Sequence, residues 1–92
     1  MRVVVKIGTS SVTAQAGEVD TLAIDKLCGD MVNARRSGHE VVLVTSGAVT
    51  AGLQVLGLDR PSDMRTLQAV SAVGQIELMR VYRETLDRKS IV

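Results

Sequence analysis

The sequence has no phenylalanine and no tryptophan, and Tyr82 is its only aromatic residue. That leaves no stacking platform for single-stranded nucleic acid. Charge imbalance is missing too: 11 lysines and arginines face 10 aspartates and glutamates, a net charge of +1. Proteins that hold phosphate backbones usually carry a clustered basic surface, and none is expected here. One cysteine, Cys28, excludes an internal disulfide framework and suits a reducing compartment. With a single histidine, His39, a metal site built from His and Cys has too few ligands. No apolar run approaches the roughly 20 residues that cross a bilayer. Arg2 and Lys6 interrupt the N-terminal apolar residues too early for a secretory signal. These absences predict a soluble, cytoplasmic chain that binds neither nucleic acid nor membrane.

What is present argues for a folded domain. Hydrophobic residues make up 46% of the 92 positions and charged residues 23%, a composition unlike that of disordered segments. A chain of this length buries one modest core. Arg2 to Ile7 (RVVVKI) and Glu40 to Thr45 (EVVLVT) are near-continuous β-branched runs. Because neither alternates apolar with polar, both predict strands covered on two faces, the habit of parallel sheets. Between them, Asp20 to Ser37 places Ile24, Leu27, Cys28 and Met31 at helical spacing, with Arg35 and Arg36 in the last turn and Gly38 at a left-handed cap position. Strand, helix and strand form one βαβ unit.

Ser46 to Leu56 predicts a second, small-residue-rich helix starting at Gly47. After the turn at Gly57 to Pro61, Ser62 is placed to cap a third, with Asp63 in its first turn. That helix extends to about Asp87 and uses Leu67, Val70, Leu78 and Val81 for its buried side. Gly74 in its middle costs about 1 kcal/mol relative to alanine, so it marks either a break or a close backbone contact. Lys89 to Val92 reads as the opening of a further strand. Two buried parallel strands need neighbours on their open edges, so residues 1–92 are expected to be the N-terminal part of a larger domain.

Two segments can carry chemistry. Lys6-Ile7-Gly8-Thr9-Ser10 ends the first strand, where ligands of open α/β sheets bind. A glycine there lets the backbone approach a phosphate, and successive amides form an anion nest; the same turn is also an ordinary end to a strand. No P-loop pattern is present. A lysine inside a buried apolar strand calls for a charged partner, either a ligand phosphate or a carboxylate. Thr45-Ser46-Gly47-Ala48 ends the second strand and opens a helix, a position suited to an anion. The small residues Gly47, Ala48, Ala51 and Gly52 fit close helix packing equally well. Two such turns at the same end of neighbouring strands point to one crevice with two anion-binding walls. Cys28 and Met31 are expected in the core, His39 in a solvated turn, and Arg35, Arg36, Arg80 and Arg83 on solvated helix faces. For Gln68 and Gln75, burial and substrate contact both remain open.

At V-V-K-I-G-T-S (Val4 to Ser10), G-H-E-V-V-L-V-T-S-G-A-V (Gly38 to Val49), the A-G at Ala51-Gly52 and A-V-G-Q (Ala72 to Gln75), the sequence resembles the amino acid kinase family. It is most similar to the members that phosphorylate glutamate. The lysine-glycine turn recurs across the family, many members having a second glycine where Thr9 stands. Combined with V-T-S-G-A and A-V-G-Q, the K-x-G-T-S form marks the glutamate branch rather than kinases of N-acetylglutamate. The resemblance implies an α/β fold, a three-layer α/β/α sandwich with a mainly parallel sheet, incomplete in this chain. It implies ATP-dependent phosphorylation of the L-glutamate γ-carboxylate, the first step of proline biosynthesis. Lys6 would be catalytic and, with Gly8, Thr9 and Ser10, bind ATP; Ser46, Gly47 and Ala48 would bind glutamate. ATP with Mg2+ and a homo-oligomer of the full-length protein are implied likewise, although no residue here is identifiable as a metal ligand. Family members are longer, so the isolated 92 residues are expected to have little kinase activity. The competing expectation is a non-catalytic α/β fragment that folds by self-association or with a partner chain.

Overall fold

The computed structural model describes residues 1–90. Two strands, β1 (Arg2–Ile7) and β2 (Glu40–Thr45), pair in parallel with Arg2 opposite Glu40 and Ile7 opposite Thr45. Helix α2 (Thr21–Arg36) crosses between them, and one short helical turn, α1 (Thr9–Val12), follows β1 directly. After β2 come α3 (Ala48–Leu56) and α4 (Met64–Ser90). The chain is thus α/β, with the βαβ unit at its N-terminal end.

Local chemistry sets the helix ends. The Asp20 carboxylate accepts from the Ala23 N–H at 3.0 Å and caps α2. At the other end the chain turns through Gly38 at φ +94°, and the Gly38 and His39 N–H groups donate to the Arg35 and Ala34 carbonyls. Helix α4 is capped by Asp63, not by Ser62: Asp63 Oδ2 accepts from the Thr66 N–H at 3.0 Å and the Thr66 hydroxyl at 2.8 Å. Those bonds hold the Asp63 carboxyl below its ordinary range. Helix α4 also passes Asp87 and continues through Lys89 and Ser90, so these residues do not begin a strand. Ile91 and Val92, the rest of that expected strand, lie outside the described residues.

Gly74 causes no break in α4. It is buried where α3 crosses α4, and a Cβ there would strike the Ala48 carbonyl oxygen and sit 2.6 Å from the Gly52 nitrogen. A Cβ on Gly52 would strike the Val70 carbonyl oxygen. The two glycines therefore let the helix backbones touch, at the cost of the helix propensity an alanine would supply.

The core joins α1, α2, α3 and α4 through Val12, Ile24, Cys28, Met31, Ala51, Leu78, Val81 and Tyr82. Ile7, Val41 and Leu43 pack against it from one face of the sheet. The expectation of strands buried on both faces is corrected here, because in both strands exposed and half-buried residues alternate. Val4, Val42 and Val44 are 57%, 42% and 50% exposed on the face away from the helices. The helices that pack against the sheet, α2 foremost, reach only the face carrying Val41 and Leu43. His39 is likewise not fully solvated; its Nδ1 is enclosed and has no hydrogen-bond partner. Arg35, Arg36, Arg80 and Arg83 are exposed, and so are Gln68 and Gln75.

Candidate functional site

The parallel register decides where the two glycine turns lie. Lys6 pairs with Val44 and Ile7 with Thr45, so the residues after each strand emerge side by side at the carboxyl end. The Ser46 N–H donates to the Ile7 carbonyl at 2.9 Å and ties the second turn to the first. Gly8 and Ser46 are both exposed there, Thr9 is half-buried, Ser10 is exposed, and Ala48 is half-buried as the first residue of α3.

Lys6 lies on the open face of the sheet and is exposed. The expectation of a buried lysine in need of a charged partner is thereby corrected: its side chain shares a face with Val4, Val42 and Val44, and water solvates its charge. It stands one residue before the strand end, on the face from which Gly8 and Ser46 are also reached.

Gly8 has φ −79°, a conformation open to any residue, and a Cβ added there would meet no atom within 4 Å. Neither packing nor backbone geometry in this chain requires glycine at that position. What glycine does leave is space against the backbone. Gly47 is different. It is buried, caps α3 at φ +112°, and a Cβ would press on Val12 Cγ2 at 3.3 Å. Its small size is thus structural, and it seats the turn of β2 against α1.

The short turn α1 escaped sequence reasoning. Its four residues are too few for a periodic signal, yet the Thr13 hydroxyl and N–H both donate to the Thr9 carbonyl and close it. Through Val12, 1% exposed, this turn anchors the segment after Gly8 in the core. A second unforeseen link joins the far end of the molecule to the site. The Tyr82 hydroxyl of α4 lies 2.9 Å from the Thr45 hydroxyl, one residue before Ser46. Burial pushes the Tyr82 phenol above its ordinary pKa, against a smaller opposing effect of that hydrogen bond. Among the described residues no three His, Cys, Asp or Glu side chains converge as a metal site would require. No residue here is therefore assigned to Mg2+.

Residues 1–92 match the model of the amino acid kinase family. The chain is 44% identical over 90 residues to a glutamate 5-kinase of Lactococcus lactis subsp. lactis, covering 97% of this chain and 33% of that protein. It is 50% identical over 87 residues to a glutamate 5-kinase of Citrifermentans bemidjiense (94% and 23%). A glutamate 5-kinase of Halalkalibacterium halodurans is 44% identical over 92 residues (99% and 25%). The chain spans a third or less of the length of these relatives. Its match to the family model over residues 1–92 means that the chain belongs to the amino acid kinase family.

Proposed function

We propose that residues 1–92 are the N-terminal part of an amino acid kinase domain that transfers the γ-phosphoryl group of ATP to the γ-carboxylate of L-glutamate. The observation that carries this reading is the pairing of the two turns: Ser46 is hydrogen-bonded to Ile7, and Gly8 is held beside it with open space against its backbone. The relatives named glutamate 5-kinase supply the choice of acceptor.

In this reading the Gly8 to Ser10 backbone lines the phosphates, and Lys6, exposed next to the turn, neutralises the charge spread over the transferring group. Ser46, Gly47 and Ala48 hold glutamate at the head of α3, where unpaired N–H groups favour a carboxylate. The nucleophile is a carboxylate, already ionised at neutral pH, so no residue has to remove a proton from it. Positioning and charge neutralisation carry the rate. ATP binds as its Mg2+ complex, and the reaction is the first step of proline biosynthesis in the cytoplasm, carried out by a homo-oligomer.

The test is ADP formation by the protein expressed from its complete reading frame. Formation that requires both glutamate and ATP, and falls about 100-fold or more in Lys6→Ala, supports the reading. ADP formation indifferent to glutamate, or unchanged in Lys6→Ala, overturns it. The isolated 92 residues are expected to be inactive in the same assay.

One observation favours a second reading, a non-catalytic fragment that self-associates: Val4, Val42 and Val44 form an exposed apolar sheet face. Sedimentation of the 92-residue chain separates the two, since a tight, well-folded monomer excludes self-association.

A further inference from the structure

Tyr82 is the single aromatic residue of the chain, and the proposed reaction makes no use of it. Its side chain is 3% exposed, within the core. Its hydroxyl contacts Thr45 Oγ1 at 2.9 Å, and Thr45 Oγ1 donates to the Ser46 carbonyl oxygen at 3.1 Å. A threonine hydroxyl has one proton to give. With that proton on the Ser46 carbonyl, Thr45 accepts from Tyr82, and the chain runs from Tyr82 O–H to Thr45 O–H to Ser46 C=O. A tyrosine phenol is protonated at neutral pH and therefore able to donate; burial shifts it further in that direction.

The Ser46 carbonyl and the Gly47 N–H belong to one trans peptide and point in opposite directions. Gly47 sits at φ +112°, and having no Cβ it does little to oppose rotation of that peptide. No backbone carbonyl among the described residues accepts from the Gly47 N–H. Among the described residues, the one hydrogen bond made by the Ser46–Gly47 peptide itself is the Thr45 clamp on its carbonyl; the Ser46 N–H bond to Ile7 holds the backbone before it, and the Ala51 N–H bond to the Gly47 carbonyl holds the backbone after it. We infer that Tyr82 is a positioning residue: through Thr45 it holds the Ser46–Gly47 peptide so that the Gly47 N–H is aimed in advance at an anionic substrate at the head of α3. Donors oriented before the substrate arrives need no reorganisation when it binds. The kinetic consequence rests on the proposed function; the geometric one does not.

Tyr82→Phe keeps the ring in the core and removes the hydroxyl, Thr45→Val breaks the relay without touching the core aromatic, and Thr45→Ser restores it. In the protein expressed from its complete reading frame, Tyr82→Phe and Thr45→Val are each expected to raise the KM for glutamate by roughly fivefold to tenfold. The KM for ATP stays within about twofold, and the double variant is no worse than the weaker single, as for two members of one chain. Thr45→Ser keeps the parent KM. In the same proteins labelled with 15N-glycine, the Gly47 amide resonance moves in Tyr82→Phe and Thr45→Val and returns in Thr45→Ser. Additive effects, equal changes in both KM values, or an unmoved Gly47 resonance overturn the inference. If the parent protein shows no glutamate-dependent ADP formation, the functional reading falls and the resonance alone decides the relay. If Tyr82→Phe does not fold by circular dichroism, Thr45→Val and Thr45→Ser decide it.

Discussion

The helix pair α3–α4 and the sheet β1–β2 are built to opposite standards of closure. In the helix pair, Gly52 and Gly74 bring the backbones into contact, and Ala51, Val70 and Leu78 around the crossing are at most 1% exposed. In the sheet, one face packs on the core through Ile7, Val41 and Leu43, while the other shows Val4, Val42 and Val44 to solvent. The same residue type, valine, is finished in one place and unfinished in the other. Apolar residues on an exposed face contribute little where they stand, so the stability of this chain lies in its helices and in one side of its sheet. The Lys6 side of the candidate site belongs to the open half.

The comparison breaks most severely at Gly74. Gly74→Val drives a branched side chain into the Ala48 carbonyl, and overpacking of that kind is expected to remove more than about 3 kcal/mol. A urea melt of the 92-residue chain reads it, and an unchanged midpoint means the helices cross less closely than described. Neighbours in β2 sharpen the contrast next. Leu43→Ala, on the packed face, is expected to cost about 1–2 kcal/mol, below the range for fully buried leucines. Val44→Thr, on the open face, stays within about 0.5 kcal/mol. Equal losses in the two would show that the open face is covered in solution. Asp20→Ala removes the cap of α2 and is expected to cost about 1 kcal/mol by the same melts.

The smallest effect is reached through pH. Burial raises the Cys28 thiol above its ordinary value. Its contribution to stability is complete below the unfolded pKa and is lost as pH rises through the folded one. The chain is therefore expected to lose a little stability at alkaline pH that Cys28→Ala does not lose, with denaturation midpoints across alkaline pH as the measure.

Much of the fold was legible because its signals are local. The caps and buried stripe of α2 are written in Asp20, Ile24, Cys28, Met31 and Gly38, each within one turn of its partner. The adjacency of the two glycine turns was legible too, since both follow strong strand signals. The open face of the sheet was not. RVVVKI reads as fully covered whether or not anything covers it, because a hydrophobic run records what a strand tolerates and not what lies against it. That is also why Lys6 was expected to be buried. Ser62 and Asp63 are both good capping residues, and only the position of Thr66 distinguishes them. The link from Tyr82 to Thr45 joins residues 37 positions apart, and no periodicity announces it.

The register of β1 on β2 also bears on the order in which the molecule assembles. Arg2 meets Glu40 across 38 positions of chain, and closing so long a loop has an entropic cost that a few strand hydrogen bonds must offset. Helices α3 and α4 are sequence neighbours and meet after a short turn. Local contacts of that kind form early, and long-range parallel pairing forms late. The side-by-side placement of Gly8 and Ser46 exists only once the strands are in register. It is therefore among the last arrangements of the chain to be made.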